Sequence, residues 1–149
     1  MTAIEILIVL ILFGILTFVA VGRLTGYRSL LALQALARSL AGDVRLTQQQ
    51  AVARDENYRL AVTAGTPGYY RIERVADSTA VKQVELPVDV TLTMAGFTSN
   101  TVEFAATGAP LVTGSFCLTN TTGYSVTVKV RPATGRSEIL DGLVEDCVP

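Results

Sequence analysis

The chain has 149 residues, with 12 lysines and arginines against 13 aspartates and glutamates, and it contains no histidine. This near-neutral charge argues against a strongly basic nucleic-acid-binding protein, and the lack of histidine removes the commonest general base and metal ligand. Two cysteines alone cannot form a four-ligand zinc site. We therefore expect no enzyme activity, no cofactor and no metal site.

The first predicted element is an apolar helix. Residues 6–21 carry no charge, and Glu5 is the single charged side chain in residues 1–22. A helix of that length spans about 33 Å, which is enough to cross a hydrocarbon core. A cleaved signal peptide is the competing interpretation, but it would begin with basic residues and have a shorter apolar core. The residues therefore favour a membrane anchor, either permanent or able to leave the membrane.

Glu5 is the unusual residue of this helix. An ionised carboxylate near the end of a spanning helix is costly unless it reaches the interface or finds a partner. One interpretation is that its side chain simply reaches the headgroups. The other is that Glu5 pairs with the free α-amino group of a neighbouring copy, since each chain supplies one acid and one amine at this end.

The second predicted element is an amphipathic helix. Apolar residues recur at helical spacing up to about Arg54, namely Leu33, Leu36, Leu40, Val44 and Ala51. Gln34, Arg38, Arg45 and Gln48 lie elsewhere on its circumference. Since no proline interrupts residues 1–54, we predict one long helix whose second half packs on a domain.

After Asp55 the sequence changes to short β-rich runs separated by glycine- and proline-containing turns. Eight strands are predicted, at residues 58–63, 69–75, 81–86, 90–94, 101–105, 115–120, 124–131 and 137–140. In the seventh, Val126, Val128 and Val130 share one face. An antiparallel sheet system packed on the helix gives an α+β fold.

The N-terminus resembles the signature of mature type IV pilins and pseudopilins in residues 2–9 (TAIEILIV) and Gly14. The resemblance implies a pilin fold, with the apolar half of the helix protruding. It also implies that a prepilin peptidase produces Met1 as an N-methylated terminus, and that Glu5 and Met1 act in assembly. The family commonly has proline where this chain has Gly22, so we expect helix flexibility between Gly14 and Gly22, with local unwinding in a filament.

The C-terminal half is similar to H-type minor pseudopilins and related minor pilins. The similarity lies in residues 102–104 with Gly108, in residues 117–118, in residues 123–128 and in residues 134–136. We therefore expect a filament-core helix at 1–28 and a globular domain at 29–149, with its helix at 29–54 and its β part at 56–149. Because an exported domain meets oxidising conditions, we favour a Cys117–Cys147 disulfide over two buried free thiols.

The resemblance implies a structural subunit of a type IV pilus or related extracellular filament. The chain would span the inner membrane with a cytoplasmic N-terminus and later join a cell-surface filament. Its expected partners are copies of itself, other minor pilins, the prepilin peptidase, and the inner-membrane platform with its assembly ATPase. One alternative is a pseudopilin of a type II secretion system.

The other alternative is a DNA-binding minor pilin of natural transformation. Some related minor pilins bind DNA through a basic Gly-Arg-x-Arg motif near the C-terminus. Here the matching residues are Gly135, Arg136, Ser137 and Glu138, so glutamate replaces the second arginine. The candidate DNA contacts are Lys129, Arg131 and Arg136, and the glutamate argues against this function.

Overall fold

The computed structural model describes residues 3–97, 99–131 and 134–141, with side chains described except at 19–28 and 141. One long helix, α1 (Ala3–Arg54), precedes eight described strands. These are β1 (Tyr58–Thr63), β2 (Tyr69–Arg74), β3 (Ala80–Glu85), β4 (Val90–Ala95), β5 (Thr101–Phe104), β6 (Gly114–Asn120), β7 (Ser125–Val130) and β8 (Ser137–Asp141). All eight predicted strands are confirmed, and no end differs by more than one residue.

The chain divides into two compact units, Met1–Ala32 and Leu33–Pro149. In the first unit, α1 is continuous through residues 14–22. The unwinding predicted there concerns a filament and stays a prediction. Across the stretches whose side chains are described, we find no helix that is both long enough and apolar enough to cross a membrane.

The second unit contains two four-stranded sheets in addition to the last part of α1. The first sheet has the strand order β3-β2-β1-β5, and the second has the order β4-β6-β7-β8. Every neighbouring pair is antiparallel. The predicted α+β class is therefore correct, and the division into two sheets was not predicted.

One hydrophobic core joins α1 to both sheets. From the helix, Leu33, Leu40, Val44 and Ala51 are buried as predicted, and Leu36 packs against the core while partly exposed. The strands contribute alternate residues, because successive strand side chains point to opposite faces. The predicted inward face of β7 is confirmed, since Val126, Val128 and Val130 are buried. Other buried strand residues include Tyr58, Leu60, Tyr70, Ile72, Phe104, Phe116 and Leu118.

Two loops are pressed against α1 at Gln48. The Gln48 amide nitrogen donates to the carbonyl oxygens of Gly108, at 2.7 Å, and Thr134, at 3.0 Å. Gly108 has φ +80° and Gly135 has φ +64°. A Cβ atom on Gly108 would lie 2.8 Å from Val52 Cγ2, and one on Gly135 would lie 2.9 Å from Gln48 Nε2. Both positions therefore require glycine for conformation and for space.

Candidate functional site

The surface of α1 around Glu5 is apolar and open. The large apolar side chains of residues 4–18 are each more than half exposed. Glu5 lines a shallow depression of about 180 Å³ with Ile6, Val9 and Leu10. A contiguous exposed apolar surface of this kind marks an interaction site. Met1, the predicted partner group on a neighbouring copy, lies outside the described residues.

Gly14 leaves a flat place on this helix surface. A Cβ atom built there would meet no atom within 4 Å. Small residues allow helix backbones to approach closely in an apolar environment. Gly22 lies within the continuous part of α1, so the proposed flexibility at these two glycines remains a prediction about assembled helices.

Cys117 lies in β6 opposite Thr127 of β7 and is fully buried. Its sulfur atom is disulfide-bonded and lies 3.9 Å from Thr127 Oγ1. The predicted partner, Cys147, lies outside the described residues. The assignment of the Cys117–Cys147 pair therefore stays a prediction.

The three predicted cationic residues lie at one end of the second sheet. Lys129 pairs in register with Glu138, and the neighbouring Val130 pairs with Ser137. Because Val130 points into the core, the flanking Lys129 and Arg131 point outward, and both are exposed, as is Arg136. The structure thus places Lys129 and Arg136, which are seven positions apart in the sequence, at the same end of the sheet.

A cleft opens between the ends of β7 and β8. It has a volume of about 510 Å³ and is lined by Arg131, Thr134, Arg136, Ser137 and Glu138. We refer to these five residues as the β7–β8 cleft. Arg131 forms an ion pair with Glu138, with Nε donating to Oε2 at 2.8 Å. The glutamate that departs from the DNA-binding motif therefore neutralises one of the predicted DNA contacts.

The sequence did not reveal that Ser137, one of the residues that line this cleft, is bonded to α1. Ser137 is buried, and its hydroxyl donates to the Ala41 carbonyl oxygen at 3.3 Å. Arg45 Nε donates to Ser137 Oγ at 3.2 Å. These contacts join residues more than 90 positions apart, so no local pattern could have indicated them. Arg45 adds a fourth cation near the cleft.

A buried carboxylate, Asp43, joins α1 to the first sheet. The Tyr70 hydroxyl donates to Asp43 Oδ2 at 2.8 Å, and Lys82 Nζ lies 2.6 and 2.9 Å from the two carboxylate oxygens. Burial raises the pKa of Tyr70 above its usual value, and the hydrogen bond to Asp43 and its charge add to the effect. The phenol therefore remains a neutral donor to the carboxylate.

A second carboxylate, Glu73, is fully buried on the outward side of β2. Arg59 Nε contacts its Oε1 atom, and Arg71 Nε lies 2.6 Å from its Oε2 atom. Since both arginines are themselves partly exposed, they shield the carboxylate from water while keeping contact with solvent. This group fixes three neighbouring side chains on the outer surface of the sheet, and no local pattern in the sequence indicated it.

The described residues contain no group of three or more aspartate, glutamate, cysteine or histidine side chains that could hold a metal ion. The charged groups described above are instead ion pairs, most of them with one partly exposed member.

Comparison with known proteins finds similarity to a type II transport protein family, a minor pseudopilin and a minor pilin. Residues 36–134 match the family model described as type II transport protein GspH. The structure is similar to the minor pseudopilin EpsH from the type 2 secretion system of Vibrio cholerae, with a TM-score of 0.59 and 13% identity, covering 72% of this chain and 95% of EpsH. It is also similar to the type IV minor pilin FimU of Pseudomonas aeruginosa, with a TM-score of 0.56 and 14% identity, covering 72% and 91%. The search of curated proteins gave no match.

Proposed function

Since its residues 36–134 match that model, the chain belongs to the GspH family of type II transport proteins, and we propose that it is a structural subunit of a pilus or pseudopilus. One observation carries the proposal. The large apolar side chains of residues 4–18 are more than half exposed in the single chain, although the second unit buries its own core. A surface of this kind requires a membrane or other subunits as its environment.

In the proposed mechanism, residues 1–22 anchor the chain in the inner membrane before assembly, with the N-terminus in the cytoplasm. The apolar helix then moves into a bundle of equivalent helices at the filament axis. Because lipid tails and packed apolar helices are similar environments, this transfer has a small free-energy change. The flat surface at Gly14 supports close helix approach.

Glu5 would provide the specificity of this transfer. A carboxylate in an apolar bundle is costly without a partner, and the methylated α-amino group of Met1 on a neighbouring copy is a cation at the matching depth. Each charge then compensates the other within the apolar bundle. Glu5 lies on the open surface of α1, which supports a role toward another chain.

The family description favours a secretion pseudopilus over a surface pilus as the filament concerned. The proposed partners are copies of this chain, other minor pilins or pseudopilins, the prepilin peptidase, and the membrane platform with its assembly ATPase. DNA binding through Lys129, Arg131 and Arg136 is not part of the proposal. Glu138 forms an ion pair with Arg131, and the whole chain has a net charge of −1.

Deletion of the gene in the producing bacterium tests this function. We expect loss of type II-dependent enzyme secretion, measured in the culture supernatant, with the other membrane functions unchanged. Restoring the full-length chain should restore secretion, whereas a chain lacking residues 1–22 should not. Normal secretion together with normal surface filaments in the deletion strain would contradict the proposal.

A further inference from the structure

The β7–β8 cleft has an excess of positive charge. Arg131 and Arg136 line it, Lys129 adjoins it on β7, and Arg45 donates a hydrogen bond to Ser137, which also lines it. Glu138 is the one acidic residue among its described lining residues. The open volume of about 510 Å³ is large enough to receive a few side chains of another molecule.

An exposed acidic segment lies elsewhere on the second unit. The turn between β3 and β4 is flanked by Glu85 and Asp89, and both are exposed. Its tip carries Val88, which is 74% exposed. The Val90 amide donates to the Pro87 carbonyl oxygen at 3.0 Å and closes the turn. Among the described residues, neither acid has an ion-pair partner. We refer to residues 85–89 as the acidic turn.

The cleft and the acidic turn lie at opposite ends of the second sheet. The acidic turn leads into β4, whose first residue, Val90, pairs with Asn120 at the end of β6. The cleft lies at the other end, where Gly114 at the start of β6 pairs with Val130, and Val130 pairs with Ser137. The length of β6 separates these ends by about 20 Å. One chain therefore cannot place its own turn in its own cleft.

We propose that the β7–β8 cleft binds the acidic turn of a second copy of this chain, with Glu85 and Asp89 facing Arg131 and Arg136 and Val88 entering between them. The inference rests on the proposed function, because the contact is between subunits of one filament. Two different surfaces at opposite ends of a molecule form a head-to-tail interface, which gives an open polymer unless its rotation closes a ring.

The charges of the cleft favour a protein partner over nucleic acid. Glu138 pairs with Arg131 and offsets one of the two lining arginine charges, so the remaining positive charge is small and suits one or two separate carboxylates better than the closely spaced charges of a phosphate backbone. The exposed Val88 gives the partner segment an apolar centre with a charged rim, which is the usual arrangement of a protein interface. Such contacts between exposed charges set register and orientation more than affinity.

Photo-crosslinking tests the contact directly. The full-length chain is produced in its own bacterium with benzoylphenylalanine in place of Val88, and cross-linked products are analysed by peptide mass spectrometry. We expect a dimer in which the label is joined to the peptide that contains Arg131 or Arg136. The matched control carries the label in place of Thr107, an exposed turn residue, and should give at least tenfold less of that product.

Charge exchange supplies the second test. Arg131→Glu with Arg136→Glu should lower the cross-link yield at least tenfold, and so should Glu85→Arg with Asp89→Arg. Mixing the two variants should restore the yield, because each then offers what the other lacks. Unchanged melting temperatures exclude misfolding as the cause. Electron microscopy of the same cells reports on the proposed function separately, since filaments without this cross-link refute the contact alone. Cross-links to another protein, to nucleic acid or to another part of the chain overturn the inference.

Discussion

The two halves of α1 are both rich in large aliphatic residues, but they differ in exposure. Leu12 in the first half is 55% exposed, whereas Leu40 in the second half is fully buried. The second half has polar residues on its outer side and packs its apolar side against the sheets. Its apolar surface is therefore buried within the chain. Apart from Glu5 and Thr17, the residues at 3–18 are apolar around the whole helix and are exposed. We propose that one helix serves folding at one end and assembly at the other.

Matched substitutions in the two halves should separate these roles most strongly. Leu40→Ala should lower the free energy of unfolding by about 3 kcal/mol, because it leaves a cavity in the core. Leu12→Ala should change it by less than about 0.5 kcal/mol, since an exposed site away from the core contributes little. Urea denaturation of the full-length chain in detergent measures both. Equal losses of stability would remove the distinction between the two halves.

Removing the counter-charge of Asp43, the buried acid in the second half of α1, should lower the free energy of unfolding by a similar amount. Lys82→Met leaves the Asp43 carboxylate, which is 5% exposed, without its counter-charge. We expect a loss of about 3 kcal/mol, because an uncompensated buried charge is costly. Asp43→Asn should cost less, because Lys82 is 41% exposed and can turn to water. Denaturation curves would contradict this explanation if Asp43→Asn were the more damaging change.

Glycines in the loops that contact the second half should show a smaller effect. Gly108→Ala should destabilise by about 2 kcal/mol, because positive φ and contact with Val52 both oppose a side chain. Gly123→Ala is the matched control, since its φ is +85° but no atom lies within 4 Å of a Cβ there. Its cost should be about 1 kcal/mol. Thermal unfolding that gave the same loss for both would show that contact with α1 does not matter.

The smallest predicted effect is the pH dependence of stability due to Asp77, an exposed acid in the turn between β2 and β3. Hydrogen bonds from the Thr79 side chain and backbone, with Arg74 beside them, lower the pKa of Asp77 to about 2. A lowered pKa means that the stabilising contribution of this carboxylate is complete above its ordinary pKa of 3.8 and fades as the pH falls toward 2. NMR titration should show a midpoint near 2. A midpoint near 3.8 would mean that these hydrogen bonds do not hold in solution.

The sequence predicted the local elements well because their signals are local. The helical spacing of Leu33, Leu40 and Val44 and the alternation in β7 each depend on a few neighbouring residues. The pairing of strands into two sheets could not be predicted, since it depends on contacts between distant segments. The contacts of Lys82 with Asp43 and of Arg45 with Ser137 could not be predicted for the same reason. Asp43 did carry a signal, because a carboxylate beside Leu40 and Val44 on an apolar face requires a buried partner.

In the candidate site too, single residues could be identified from local patterns, whereas their contacts could not. Glu5 could be identified from the sequence because one charge in an apolar run is unusual wherever it occurs. The cations at Lys129, Arg131 and Arg136 were identified as a group, but the ion pair of Arg131 with Glu138 and the cleft beside it depend on the register of β7 and β8. The sequence placed Gln48 away from the apolar residues of the helix but did not indicate that its amide binds two loops.

We propose that the first half of α1 assembles with other subunits through Glu5. Glu5→Gln keeps the size of the side chain and removes its charge, and Glu5→Asp keeps the charge. The measurement is the fraction of each full-length variant recovered in filaments sheared from cells that also produce the wild-type chain, relative to the amount in the membrane. We predict that Glu5→Gln remains in the membrane but enters filaments at least tenfold less than wild type, with Glu5→Asp in between. Equal incorporation of Glu5→Gln and wild type would contradict the claim.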